Sequence, residues 1–341
     1  MERTSNFELL RLILMLMIVI HHCIVVGLGI EGLCSSYDLQ LAAVGRDVPT
    51  LLFTNCFCIV AVNVFVLISG YFGIRIKLRK VLLLLFAIYF YTIFFTTLPL
   101  ITYGNVRLGL YKLAVFSQQP HYWFLREYFI LLLFCPFINE GLERFSKKNH
   151  LIFVLGLTFV SCYLGYVFGR SVNHNGYNFV NFILLYVLGS YIKRYPVKGN
   201  GKIWGLTYVV TTLVIALLSI YFYQEGKYGL VWKLTYYNNP LVIVASLALF
   251  LAFRSVNIRS KRINKIAQSS ISIYLFGCSV TILRCTCDLT KFSYAQLHDN
   301  MGIFILSLVG ISLATAILAI AIDQIRLYAW HKIENLTTSA T

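Results

Sequence analysis

The sequence predicts an all-α fold, a polytopic integral membrane protein of about ten transmembrane helices with the N- and C-termini cytoplasmic. Three observations predict it. Of 341 residues, 59% are hydrophobic and only 12% charged, with a mean hydropathy of +0.76, whereas soluble domains carry roughly a quarter charged residues. Apolar runs of span length recur along the whole chain, as a helix crossing hydrocarbon requires. They are not the short alternating segments of a β-barrel. Finally, the cations alternate between connections. The N-terminus, every second loop and the C-terminus hold 19 of the 29 Lys and Arg residues, the intervening loops hold 9, and Arg11 lies inside the first apolar run. That asymmetry places the N-terminus in the cytoplasm. It also accounts for the net charge of +16 without a nucleic-acid partner.

The first run, 7–29, is too long for a cleavable leader and carries Arg11, His21 and His22, which suit no leader's apolar segment. The second, 51–73, ends on Ser69 and Gly70 and runs into the basic stretch Arg75, Lys77, Arg79 and Lys80. Runs 81–101 and 122–139 follow, the latter opening on Trp123, Arg126 and Glu127. Next come 151–169 and 179–192, the second short enough to need tilt or local thinning of the bilayer. Runs 203–223, 234–253, 266–283 and 301–322 complete the set. No connection is long or polar enough for a soluble module, so residues 1–341 form a single transmembrane domain. Most of the nine cysteines sit in apolar runs, where they act as small hydrophobes. Cys34 could bridge to Cys285 or Cys287 on the outer side. No metal-ligand spacing and no phosphate-binding glycine loop is present.

An ionisable group inside a membrane helix is costly and is therefore a functional candidate. The first helix holds Glu8, Arg11, His21 and His22. At 100° per residue, Arg11 and His22 fall within about 20° of one line, about 16 Å apart along the axis. Glu8 precedes Arg11 by three residues, close enough to pair with it, and His21 points about 100° away from the stripe. A molecule threaded along this helix would be gripped at Arg11 and react at His22, because a neutral imidazole accepts a proton from a hydroxyl. The same residues could equally be interfacial anchors and structural hydrogen-bonding groups.

Phe7-Glu8-Leu9-Leu10-Arg11, with ten residues between Arg11 and His22, resembles the N-terminal signature of the type-three membrane acyltransferases. These are bacterial proteins that mostly acylate cell-surface glycans. Asn63-Val64-Phe65-Val66-Leu67-Ile68-Ser69-Gly70-Tyr71-Phe72 resembles the family's Phe-Phe-x-x-Ser-Gly-Phe helix end. His121-Tyr122-Trp123-Phe124-Leu125, with Pro136 beyond, resembles its His-x-Trp-Phe-Leu segment. Tyr186-Val187-Leu188-Gly189 resembles a Leu-Gly segment of a middle helix. Two departures stand out. Val64 replaces the first Phe, and Gly277 stands where the late Ser-Tyr-x-x-Tyr-Leu-x-His segment has its His.

The resemblance implies O-acyl transfer, commonly of acetyl, from cytoplasmic acetyl-CoA to a hydroxyl of a cell-surface or exported glycan, in the cytoplasmic (inner) cell membrane. His22 would be base or transient acyl acceptor, Arg11 would orient the donor and Glu8 would hold Arg11. Arg75, Lys77, Arg79 and Ser69 would bind CoA as cosubstrate. His121, Trp123, Arg126 and Glu127 would bind the acceptor, with membrane lipid around the bundle and no metal. The alternatives are a transporter or flippase for a glycan or lipid-linked sugar, and a non-catalytic membrane subunit. Against transport, the two halves show no internal similarity of the kind many transporters have.

Overall fold

The computed structural model describes residues 5–30, 45–115, 122–169 and 171–338. Among them the ordered elements are all helices. In chain order these are α1 (Asn6–His22), α2 (Val48–Cys58), α3 (Ala61–Phe72), α4 (Leu78–Thr92), α5 (Leu98–Thr102), α6 (Val106–Ala114), α7 (Trp123–Arg144) and α8 (Lys147–Thr158). Then follow α9 (Phe179–Arg194), α10 (Gly201–Gln224), α11 (Tyr228–Leu234), α12 (Pro240–Arg254), α13 (Lys261–Ile266), α14 (Ser270–Gly277), α15 (Val280–Leu297) and α16 (Met301–Thr338). Several starts are written locally. Ser146, Asn178, Asn200, Asn239 and Ser260 each accept a backbone N–H from the first turn of the helix they open, satisfying a donor the helix cannot.

The start of α1 is instead set by distant chain. Ser5 N–H donates to Ile258 O at 2.7 Å, Ser260 N–H to Ser5 Oγ at 2.8 Å, and Asn6 Nδ2 to Phe253 O at 2.9 Å. The helix then runs uninterrupted past His22 into a π-helical turn, Cys23–Gly27. Helices α2 and α3 make one span, Val48–Phe72, and 83% of its most apolar 18-residue stretch is buried, so this is the central post of the bundle. Where α3 crosses α9 the backbones almost touch. A Cβ on Gly70 would lie 2.0 Å from Tyr186 O, and one on Gly189 2.4 Å from Leu67 O. Small residues are what permit such an approach between membrane helices.

Helix α3 stops at Gly73, whose φ of +72° is a left-handed conformation that glycine adopts without penalty. A short strap, 73–77, leads from there to α4. Its midpoint is pinned on both sides. Ile74 N–H donates to Tyr186 Oη at 2.9 Å, Asn139 Nδ2 donates to Ile74 O at 2.9 Å, and Tyr186 Oη donates to Asn139 Oδ1 at 2.7 Å.

Among the described residues, six spans are long and apolar enough to cross a bilayer: Asn6–Gly27, Val48–Phe72, Leu78–Thr102, Lys147–Val167, Gly201–Gln224 and Met301–Asn335. The runs 122–139 and 179–192 are also helical, as α7 and α9, and the run 234–253 is helical from Pro240 on, as α12, after a turn at 235–239; all three fall outside this group by length or composition. The run 266–283 is not a continuous span. The chain turns by 80° between α14 and α15, where Ser279 takes an extended backbone and its hydroxyl donates to Phe276 O at 2.6 Å. Such a hydroxyl competes with the helical ladder for that carbonyl. Counting the bent pair as one span gives seven.

The last helix also exceeds its run, 301–322. Arg326, grouped by the sequence with the C-terminal flank, is buried in α16. Its Nε donates to Asp323 Oδ1 at 2.5 Å, and the two side chains are 3% and 0% exposed. Ser272 Oγ donates to the same carboxylate at 2.6 Å. Cys34, and with it any bridge to Cys285 or Cys287, lies outside the described residues, as does His121.

Candidate active site

At the basic end, between α1, α3, the strap, α4 and α7, lies a cavity of about 370 Å³. Arg11, Ser69, Arg75, Lys77 and Lys80 reach it, and Phe65, Phe72, Leu84, Phe124 and Leu132 supply much of its apolar wall. Arg11 is held from behind. Its Nη1 donates to both carboxylate oxygens of Glu8, at 2.9 and 3.0 Å, and its guanidinium lies 5.8 Å from the centre of the Phe72 ring. The i,i+3 spacing makes that pairing possible within one helix. The Ser69 hydroxyl bonds to Phe65 O at 3.0 Å and meets Tyr128 Oη at 3.2 Å. Arg75, Lys77 and Lys80 line the cavity with no ion pair to a carboxylate among the described residues. Arg79, in the same basic stretch, faces elsewhere. It forms a fork with Glu334 of α16, Nη2 donating to Oε2 at 3.0 Å, and takes no part in the cavity wall.

Toward the opposite end, a vestibule of about 630 Å³ has His21 and His22 in its wall together with Trp123, Tyr177, Trp232 and Tyr236. The two histidine rings are 5.6 Å apart. The helical wheel separates them in direction, yet both border the vestibule. Their partners distinguish them: His21 Nδ1 lies 2.7 Å from Asn55 Oδ1, and His22 Nδ1 lies 3.6 Å from Cys278 Sγ. Trp123 packs on Tyr177 and Tyr237, with ring centres 4.5 and 5.6 Å away. Of the other expected acceptor residues, Arg126 and Glu127 bond to each other at 2.9 Å and do not border the vestibule.

Between the two large spaces is a void of about 20 Å³ lined by His21, His22, Trp123, Phe124, Tyr237 and Tyr274, among others. That is room for about one water molecule and too little for an acyl chain. Phe124 borders both this void and the basic cavity, while Trp123 borders both the void and the vestibule. The Phe124 ring is wedged among Phe65, Tyr128 and Tyr274, at 6.0, 5.5 and 5.6 Å. Phe124 thus stands between the basic cavity around Arg11 and the void beside His22.

Sequence reasoning did not find Tyr177, Trp232, Asn55 or Cys278, because each comes from an element other than α1 and only packing brings it to the histidines. Phe124 follows Trp123 directly, and the motif containing both was its one available signal. Gly277 stands beside α1, since a Cβ there would lie 3.7 Å from both Val19 and Thr315. The position that departs from the late motif thus adjoins Cys278, the His22 contact.

A family model described as an acyltransferase domain matches residues 4–324. The chain belongs to that family, the type-three membrane acyltransferases. No curated protein and no solved structure matches it.

Proposed function

We propose that this membrane acyltransferase moves an acetyl group from acetyl-CoA, supplied on the cytoplasmic side, to a hydroxyl of a cell-surface or exported glycan. The observation that carries the reading is the pair of unlike cavities at the two ends of one helix. Besides Arg11, the cavity is rimmed by Arg75, Lys77 and Lys80, which have no carboxylate partner among the described residues, suited to a polyphosphorylated donor. The vestibule around His22 is rich in Trp and Tyr, which offer a sugar apolar faces and polar edges. The basic end faces the cytoplasm in this reading, in the inner membrane.

In the reaction, His22 takes the proton of the acceptor hydroxyl as its oxygen attacks the thioester carbonyl. The carbon–sulfur bond then breaks, and the CoA thiolate leaves and is protonated. Arg11, steadied by Glu8, holds the donor so that its acyl end points along α1. Phe124 must swing aside for the acyl end to approach His22, because the space beyond it is too small.

The test is label transfer from acetyl-CoA into surface glycan by membranes holding wild type, His22→Ala or His21→Ala at matched expression. Transfer lost with His22→Ala and retained with His21→Ala is the expected result. No transfer by wild type, with the donor varied across short acyl-CoAs, overturns the reading and moves glycan transport to the front, since cavities opening at both ends are also what alternating access requires.

A further inference from the structure

The strap 73–77 is a ridge with a cavity on each side. Across it from the Arg11 cavity lies a second space of about 380 Å³, and Phe72, Gly73 and Arg75 border both. The second space is the more polar, with Asn139, Glu143, Ser190, Lys193 and Arg194 in its wall. Its cations are not equivalent. Arg194 is committed to the end of α7, donating to Leu142 O at 2.5 Å and to Phe145 O and Glu143 O at 3.3 Å each. These are carbonyls of the last turn and exit of α7, where helical partners run out; Leu142 O also accepts the N–H of Phe145 at 3.2 Å, and Arg194 completes the cap. Lys193 has no carboxylate or carbonyl partner among the described residues. With Arg75 it outweighs the single acidic group, Glu143.

The ridge is tied at its midpoint, Ile74 being bonded at both its N–H and its C=O. A ligand filling both spaces must therefore cross over this ridge at Arg75. CoA has the right parts in the right order: a neutral pantetheine arm, a diphosphate, then an adenosine carrying a separate 3′-phosphate. The arm enters the apolar cavity toward Phe124, and the diphosphate meets Arg75, Lys77 and Lys80 at the crest. We propose that the second cavity binds the 3′-phosphorylated adenosine end of the donor, with Lys193 as the partner of its 3′-phosphate. This inference rests on the acyl-CoA reading above and extends it to a site on α9.

The experiment measures binding of CoA and of 3′-dephospho-CoA to the full-length protein in phosphatidylcholine nanodiscs, for wild type, Lys193→Ala and Lys193→Arg. One charge-assisted contact corresponds to about a tenfold preference of wild type for CoA over the dephosphorylated form. Lys193→Ala should abolish the preference while binding 3′-dephospho-CoA as wild type does, and Lys193→Arg should keep it. Equal binding of both ligands by wild type overturns the inference but leaves the donor reading intact, and is the result expected if this cavity serves a lipid headgroup. Lys193→Ala weakening both ligands equally, or leaving the preference in place, also overturns it. Binding of neither ligand removes the donor reading together with the inference.

Discussion

Replacing Gly70 with alanine tests the packing that holds the donor side together. The new Cβ would sit 2.0 Å from Tyr186 O and 2.7 Å from Tyr186 Cα, where side-chain carbons do not come closer than 3.0 Å. The obstacle is backbone, so α3 and α9 must part by about 1 Å. Overpacking of this kind costs about 1–3 kcal/mol. The damage does not stay local, because Tyr186 also carries the hydroxyl that anchors Ile74. The ridge bearing Arg75 shifts with it. Misplacing a binding group by about 1 Å can cost up to ~100-fold in rate. Gly70→Ala should therefore lower the melting temperature of the purified protein and raise KM for acetyl-CoA at least about tenfold, within that bound. Gly156→Ala is the matched control: its Cβ would meet nothing within 4 Å, and a helical Gly→Ala change of that kind is worth about 0.5–1 kcal/mol in the stabilising direction. Wild-type melting and donor KM in Gly70→Ala would refute the claim that this crossing positions the ridge.

Three further outcomes are expected. Lys77→Ala should raise the donor KM about fivefold or more, as loss of a charge-assisted contact does, and Arg79→Ala should raise it far less, because Arg79 faces Glu334 and not the cavity; parallel kinetics on the two variants decide this. Asp323→Ala strands Arg326 in the interior and should cost about 3–5 kcal/mol, read as a fall in thermal stability, with Asp323→Ala/Arg326→Met recovering most of it. Phe124→Ala should join the basic cavity to the void beside His22 and raise acetyl-CoA hydrolysis to free acetate in the absence of acceptor; hydrolysis no faster than in wild type would mean another group closes the route.

The parts legible in the sequence are those whose geometry is local. Glu8, Arg11 and His22 lie on one helix, so helical periodicity alone gives the pairing and the separation along the axis. Ser69, Arg75 and Lys77 follow one another through a helix end and could be expected at one mouth. Arg79 could not be told from its neighbours, because its partner Glu334 lies at the other end of the chain. Arg126 and Glu127 looked available beside Trp123, yet adjacent opposite charges satisfied each other. The run 266–283 read as continuous because hydropathy does not register one serine hydroxyl competing for a carbonyl at Ser279. Arg326 was grouped with the C-terminal flank, since its burial against Asp323 depends on Ser272 and Tyr91 arriving from two other helices.

The place of Phe124 between the basic cavity and the void beside His22 also bears on how the protein would work in an energised membrane. If, as proposed, the two spaces open on opposite faces of the membrane, the transmembrane voltage would drop across the short stretch of low-dielectric material left between them. Moving one elementary charge through the whole drop involves about 2.3 kcal/mol per 100 mV. An uncharged acyl group passing that ring does no electrical work, whereas the phosphates of its carrier would. In the proposed reaction, keeping the anionic portion outside and admitting only the neutral end would let the bundle handle a highly charged reagent without drawing on, or short-circuiting, the membrane potential.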